Sequence, residues 1–300
     1  MLATDDPIAV VPVDTEFSPP LQDDLRPVRK VLWAIPDEGY TQTEALANIR
    51  LVAFHLGVLE ERSKYDRTMP RWEFSIYQIG RLLTPLAREY AAKAAVATGS
   101  EYLLMTDNDG LFPVDLFERL QAHNVDIVAP LAFTRNDPYL PVIYCREEGF
   151  DSGTGQPYSL TRYISKYPKN ALVECDAVGF HAVLIRVALL KQMKEPIFFN
   201  LSQTGEDIYF CIRAKKEHGA RIFCDTSIST GHLTRPSIVD EDFAKRYWKD
   251  GLHLDAEKDL GSSSPYQAIP LAAGGKPYEL GHVITEATQT PHSQLQTVAR

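Results

Sequence analysis

The feature that most restricts this chain is an alternation. Within 31–130, four short strand-like runs are separated by three segments of helical period. VLWAIP (31–36) and YLLM (102–105) are unbroken apolar runs, the pattern of strands covered on both faces. After the first run, Thr41 and Glu44 have capping-box spacing, and Leu46, Ile49, Val52 and Leu56 follow at helical intervals. They predict a helix that starts near Thr43 and ends by Gly57. WEFSIYQIG (72–80) alternates as a strand. The Ala-rich stretch from Thr84 to about Thr98 predicts a second helix, with Gly99 as its stop. Pro113 opens a third, with Leu116, Phe117 and Leu120 on one face, before the strand DIVAP (126–130). Such alternation implies an α/β fold with a mostly parallel sheet flanked by helices. Ligands of such sheets bind beyond the carboxyl ends of the strands, where Pro36 and Asp107 lie.

The second half is less regular. Residues 131–170 are rich in Tyr, Pro and Gly and show no clear helix, which marks a functional or mobile segment. ALVECDAVGFHAVLIR (171–186) reads as strand with Gly179 in its middle, and VALLKQM (187–193) as a short helix. GEDIYFCIRAKKEHG (205–219) predicts a helix stopped by Gly219, ARIFCD (220–225) a strand, and DEDFAKRYWKD (240–250) a last helix. The expected organisation is an arm over 1–28, one domain over 29–235, and a C-terminal helix with an extended tail over 236–300.

The formal net charge of −9 over 300 residues argues against a broad nucleic-acid-binding face, yet leaves room for one phosphorylated ligand. Cys145, Cys175, Cys211 and Cys224 form no CxxC pair; the last three lie in apolar surroundings and read as core residues of a reducing compartment. Asp5 and Asp6 stand where a signal peptide carries positive charge, and no apolar run approaches the ~20 residues of a membrane span. The expectation is a soluble, cytoplasmic protein.

Three constellations could carry chemistry. Asp107-Asn108-Asp109-Gly110 at a strand end is good turn chemistry, and equally a hard-oxygen site for Mg²⁺ or Mn²⁺. Glu206 and Asp207 open a helix, where acidic residues favour the helix dipole whatever else they do. His232 follows a strand, and a lone His is more often structural than a ligand.

Taken in order, Asp-x-Asp, a Gly-containing strand, Glu-Asp and then His resemble the GT-A glycosyltransferases, most closely the family 2-like enzymes that transfer a sugar from a nucleotide diphosphate. The resemblance spans roughly residues 30–235 and rests on LAREYAAKAAVATGSEYLLMTDNDGLFPVDLFERL and GEDIYFCIRAKKEHGARIFCDTSISTGHL. It implies a Rossmann-like GT-A domain in which Asp107 and Asp109 hold a cation and the donor diphosphate, and His232 completes the cation's ligands. It implies that Asp207 is the general base for the acceptor hydroxyl, supported by Glu206. Ile35, Pro36 and Glu38 would hold the base and ribose, Arg88 and Asn108 would lie by the nucleotide, and Gly179 by the sugar or acceptor. The implied donor is a UDP-sugar, with GDP-sugars second, and the implied outcome is inversion, although a retaining enzyme could carry the same metal ligands.

The chain departs from the family pattern in places. Glu89 stands after Arg88 where the family has Asn, and His181 where it has a smaller residue, either lining the acceptor site or packed in a strand. Asp176 and Asp225 read as structural. Tyr247, Trp248 and His253 either stand in for a missing aromatic acceptor motif or form one face of a helix. The rival enzyme class is a nucleotidyltransferase on a related fold, whose Gly-rich basic loop is not matched by DEGYTQTE (37–44). A non-catalytic nucleotide-sugar or glycan-binding protein is the third possibility. The acceptor could be a saccharide, lipid, protein or modified nucleobase.

Overall fold

The computed structural model describes residues 24–37, 41–150, 152–200, 204–234, 238–249, 262–263 and 268–271. The first half follows the expected alternation: β1 (Val28–Asp37), α1 (Thr43–Tyr65), β2 (Arg71–Gly80), α2 (Thr84–Ala97), β3 (Tyr102–Thr106), the two-residue β4 (Gly110–Leu111), α3 (Leu116–Ala122) and β5 (Ile127–Leu131). The second half holds β6 (Ile143–Phe150), β7 (Pro157–Lys166), β8 (Ala171–Cys175), β9 (Ala177–Val178), β10 (Ala182–Arg186), α4 (Val187–Leu190) and α5 (Glu206–His218). β11 (Ile222–Ser229), β12 (Gly231–Leu233), β13 (Ile238–Val239), α6 (Glu241–Lys249), β14 (Ser262–Ser263) and β15 (Ala268–Pro270) complete it.

The central sheet has the order β15-β8-β11-β5-β10-β3-β1-β2. β1 pairs in parallel with β2 and β3, and β11 with β5. β10 is inserted antiparallel between β3 and β5, and β8 is antiparallel to β11 and β15. All strands but β10 and β8 therefore point one way, and the sheet is mostly parallel.

Two apolar layers explain the unbroken runs. Leu32, Ala34, Leu103, Met105, Val183 and Ile185 face one side, with Ala87, Ala91, Ala92 and Ala95 of α2 and Phe210, Cys211 and Ala214 of α5. Val31, Trp33, Ile35, Tyr102, Leu104 and Leu184 face the other, with Val52 and Leu56 of α1 and Leu116, Phe117 and Leu120 of α3. Each strand alternates by the rule of two, but both faces are covered, so no polar residue interrupts it. The alanine face of α2 lets that helix sit close to the sheet. Gly99 and Gly219 both have φ near +66° after their helices, at +67° and +66°, a conformation glycine adopts without steric cost.

Some expectations are corrected. α1 does not end at Gly57 but continues to Tyr65, because Leu56 and Ser63 are buried on the same helix and packing outweighs the ~1 kcal/mol helix cost of one glycine. The stretch 131–170 holds an antiparallel pair, β6 with β7, in register from Tyr144↔Tyr163 to Phe150↔Pro157. The run 171–186 is broken into three strands, of which β9 leaves the central sheet to pair with β6. The four cysteines are free and buried, Cys175, Cys211 and Cys224 as expected and Cys145 in addition. Among the described residues, no helix is long and apolar enough to cross a membrane. Glu38 and His253 lie outside the described residues, and of Tyr247 and Trp248 only the backbone is described.

Candidate functional site: an Asp and His cleft at the strand ends

β3 ends at Thr106, and the chain turns immediately into Asp107-Asn108-Asp109. The Asp107 N–H donates to the carbonyl of His181 at 2.9 Å, and Thr106 pairs with Ala182. The reversed direction of β10 thus sets its first residues beside the last residues of β3. A small sheet, β13-β12-β4, holds the other side: His232 pairs with Gly110, and the Leu233 N–H donates to the Asp109 carbonyl at 2.8 Å.

Asp107, Asp109, His181 and His232 each turn one ligand-type atom to a common point, all within 4.8 Å of one another. His181 Nε2 lies 3.1 Å from the Gly231 carbonyl, and His232 Nδ1 lies 3.0 Å from the Phe133 carbonyl. Both carbonyls can only accept, so these nitrogens carry the protons. The lone pairs of His181 Nδ1 and His232 Nε2 are left facing the carboxylates. Those two nitrogens and Asp109 Oδ1 are buried without a hydrogen-bond partner among the described residues. Buried polar atoms are costly when unpaired. Two imidazole lone pairs and two carboxylates fit a divalent cation, with each imidazole oriented from behind by a backbone oxygen. Sequence reasoning supplied Asp107, Asp109 and His232; His181 is the member it did not assign to the cation.

Burial would raise the Asp107 carboxyl, but a protonated His181 and the Arg88 guanidinium overcome it and hold it below the usual carboxylate range. Asp109 behaves likewise, with a protonated His232 opposing the effect of burial. Burial, reinforced by repulsion from His232, pushes the His181 imidazole below its usual value against the pull of Asp107 and Asp109.

Arg88, buried under the cleft, donates to Asp107 Oδ1 and to the Phe180 carbonyl, both at 3.1 Å, and pairs with Glu206. Desolvation opposes its charge, yet Asp107, Glu206 and Asp207 hold it protonated. Burial raises Glu206 despite this partner. Asp207, in the first turn of α5, accepts from the N–H of Ile208 at 2.7 Å and weakly from that of Phe180 at 3.4 Å. Asp109 Oδ2 accepts from Arg135 Nη1 at 2.6 Å.

These groups line one cleft of about 410 Å³ with Pro36, Asn108 and Gly179. Ile35 is not part of it: it alternates to the opposite side and packs in the α1–α3 core. The Asn108 amide donates to Asp37 at 2.8 Å and to Thr41 at 3.2 Å, strapping the acidic turn to the end of β1. Gly179 is pressed against Val142, whose Cβ would lie 2.7 Å from any Cβ added there. Outside the cleft, Glu89 accepts from the N–H groups of Ile197 and Phe198 at 2.8 and 2.9 Å, which accounts for an acid at that position. Asp176 is taken up by Lys215 and the Arg146 N–H, and Asp225 by His123 and Ser227, both structural as read.

No family model matches the chain, and no curated protein matches it in sequence. Several solved structures are similar in architecture. A197 from STIV is 16% identical, with a TM-score of 0.44 over 68% of this chain and 86% of that one. The inositol-1-phosphate CTP transferase from T. maritima is 9% identical, with a TM-score of 0.37 over 76% and 98%. The catalytic domain of Drosophila beta1,4galactosyltransferase 7 is 13% identical, with a TM-score of 0.35 over 80% and 77%. The similar structures thus include both glycosyl- and nucleotidyltransferases. With TM-scores below 0.5 these likenesses carry no argument, and the chemistry is argued from the site's own residues.

Proposed function

We propose that this chain is a metal-dependent glycosyltransferase that moves a sugar from a nucleotide-diphosphate donor, a UDP-sugar before a GDP-sugar, to an acceptor hydroxyl with inversion. The observation that carries the reading is the meeting, in one cleft, of four side chains that could hold a cation with a carboxylate that, among the described residues, is bound to no cationic side chain. Of the two acids that open α5, Glu206 is bound to Arg88, whereas Asp207 is held by backbone N–H groups and lines the cleft. The division of labour follows. Asp207 takes the proton of the attacking hydroxyl, and Glu206 fixes Arg88 so that its charge lies under both carboxylate pairs. Asp107, Asp109, His181 and His232 hold the cation. A bound Mn²⁺ or Mg²⁺ would offset the charge that the departing diphosphate gains. Pro36 borders the donor, Gly179 leaves room beside it, and Asn108 keeps the acidic turn in place.

The test separates binding from transfer. Asp207→Asn should bind UDP or GDP with Mn²⁺ as the wild type does, and lose sugar transfer by at least about 10²-fold. Normal transfer by this variant would remove Asp207 from the role of base. Release of pyrophosphate from a nucleoside triphosphate, in place of nucleoside diphosphate from a nucleotide sugar, would assign the cleft to nucleotidyl transfer instead. Binding without turnover of any such substrate would favour the binding-protein reading.

A further inference from the structure

The two carboxylates of the acidic turn are neutralised by two arginines of different kinds. Arg88 is buried and held at three acceptors, the Asp107 and Glu206 carboxylates and the Phe180 carbonyl. It is part of the fixed frame. Arg135 reaches Asp109 Oδ2 at 2.6 Å, and its side chain is 57% exposed. It can leave without exposing a buried charge of its own, but Asp109, whose side chain is only 17% exposed, then needs another cation.

The backbone that carries Arg135 is fixed. The Thr134 N–H donates to the Leu140 carbonyl at 2.9 Å, and the Val142 N–H to the Ala132 carbonyl at 3.0 Å. Phe133 bridges to Pro141, and its carbonyl is the one that orients His232. Arg135 therefore stands two residues from the support of a cation ligand, on a closed loop, with a side chain free to swing.

We infer that Arg135 is an exchangeable counter-ion: it neutralises Asp109 before the cation arrives and then transfers to the diphosphate of the donor. The inference rests on the cation site proposed above. The physical argument is one of charge. Asp109 Oδ1 faces His232 Nε2 at 3.4 Å and has no hydrogen bond, so a cation can reach it while Arg135 is still on Oδ2. A divalent charge at Oδ1 then repels the guanidinium, at a place where little else holds it. A diphosphate brought to that cation has more negative charge than the cation offsets. The planar guanidinium fork matches two phosphate oxygens, and Thr134 and Arg135 both line the cleft. The same side chain thus weakens binding of the ion alone and strengthens binding of the ion with its diphosphate.

Those opposite signs are the test. Isothermal titration would be run on the wild type, Arg135→Gln and Arg135→Lys, first with Mn²⁺ alone and then with inorganic pyrophosphate into Mn²⁺-saturated protein. Arg135→Gln should bind Mn²⁺ roughly three- to ten-fold more tightly, and pyrophosphate about ten-fold or more weakly. Arg135→Lys, which keeps the charge, should stay closer to the wild type on both. Unchanged thermal midpoints would show that the loop is intact. If the wild type binds Mn²⁺ and Arg135→Gln binds it no more tightly, the counter-ion exchange is wrong while the cation site stands. Unaltered pyrophosphate binding in Arg135→Gln removes the phosphate role. If the wild type takes up no Mn²⁺, the cation site itself falls, and this inference with it.

Discussion

The rings of His181 and His232 lie with centroids 4.2 Å apart and planes inclined by 32°. One precedes β10 of the central sheet and the other lies in β12 of the small sheet, and each is anchored by a backbone carbonyl of another segment. Two imidazoles this close, with lone pairs toward two carboxylates, would favour a first-row transition ion over Mg²⁺, which prefers oxygen ligands and retained water.

His181→Ala should therefore lower Mn²⁺ affinity by at least about ten-fold, as loss of a ligand does when loss of a supporting group alone costs that much. Titration of the metal into the nucleotide-free protein measures it directly. Wild-type affinity in the variant would return His181 to the role of a packed strand residue.

Arg88→Met should be severely destabilising. It leaves Asp107 and Glu206 facing each other in a partly buried site without their shared cation. Breaking one side of a buried ion pair costs about 3–5 kcal/mol, read from urea unfolding of the metal-free protein. A loss below about 1 kcal/mol would mean that the carboxylates simply take up protons or water.

Gly179→Ala tests the wall of the cleft. The new Cβ would sit 2.7 Å from Val142 Cβ and 2.9 Å from its Cγ2, and the Gly179 N–H is bonded to the Val142 carbonyl at 2.8 Å. A β-branched neighbour cannot rotate out of the way cheaply. The expected loss is about 1–3 kcal/mol, with weaker donor binding, and an unchanged urea midpoint would show that the pair can part freely.

The pH dependence has a definite sign. Asp107 and Asp109 are held below their ordinary value of 3.8 in the folded chain, so their ionised forms favour folding. That stability is fully present above pH 3.8 and is lost as pH falls from there through the lower folded values. Asp107→Asn removes its share. The stability gap between wild type and variant should accordingly narrow between about pH 6 and pH 3; urea midpoints at both pH values measure it, and a constant gap would contradict the assignment.

Much of this architecture is legible in the residues. The unbroken runs at 31–36 and 102–105 announce strands with two covered faces, and the acidic turn after the second lies at the mouth of the cleft. What stayed hidden depends on direction and parity. An apolar run at 182–185 reads the same whichever way the strand points, yet only the antiparallel insertion of β10 sets His181 beside Asp107. Ile35 looks like a cleft residue because Pro36 is one. Successive residues of a strand point to opposite faces, however, and Ile35 goes to the core. Arg135 gave no signal, since nothing in a Tyr- and Pro-rich stretch tells which arginine meets an aspartate far back in sequence.

The reversed strand also has a consequence for how the molecule is held together. The ligand atoms of the cleft come from segments far apart along the chain, and each is brought in by a different pairing, β10 on β3 and β12 on β4. No unfolded or half-assembled chain can offer all four at once. An ion that binds only the finished arrangement adds its binding free energy to folding, about 2.7 kcal/mol at a hundred-fold excess over Kd. The metal would then be a structural clasp as well as a reagent, tying the two pairings to each other.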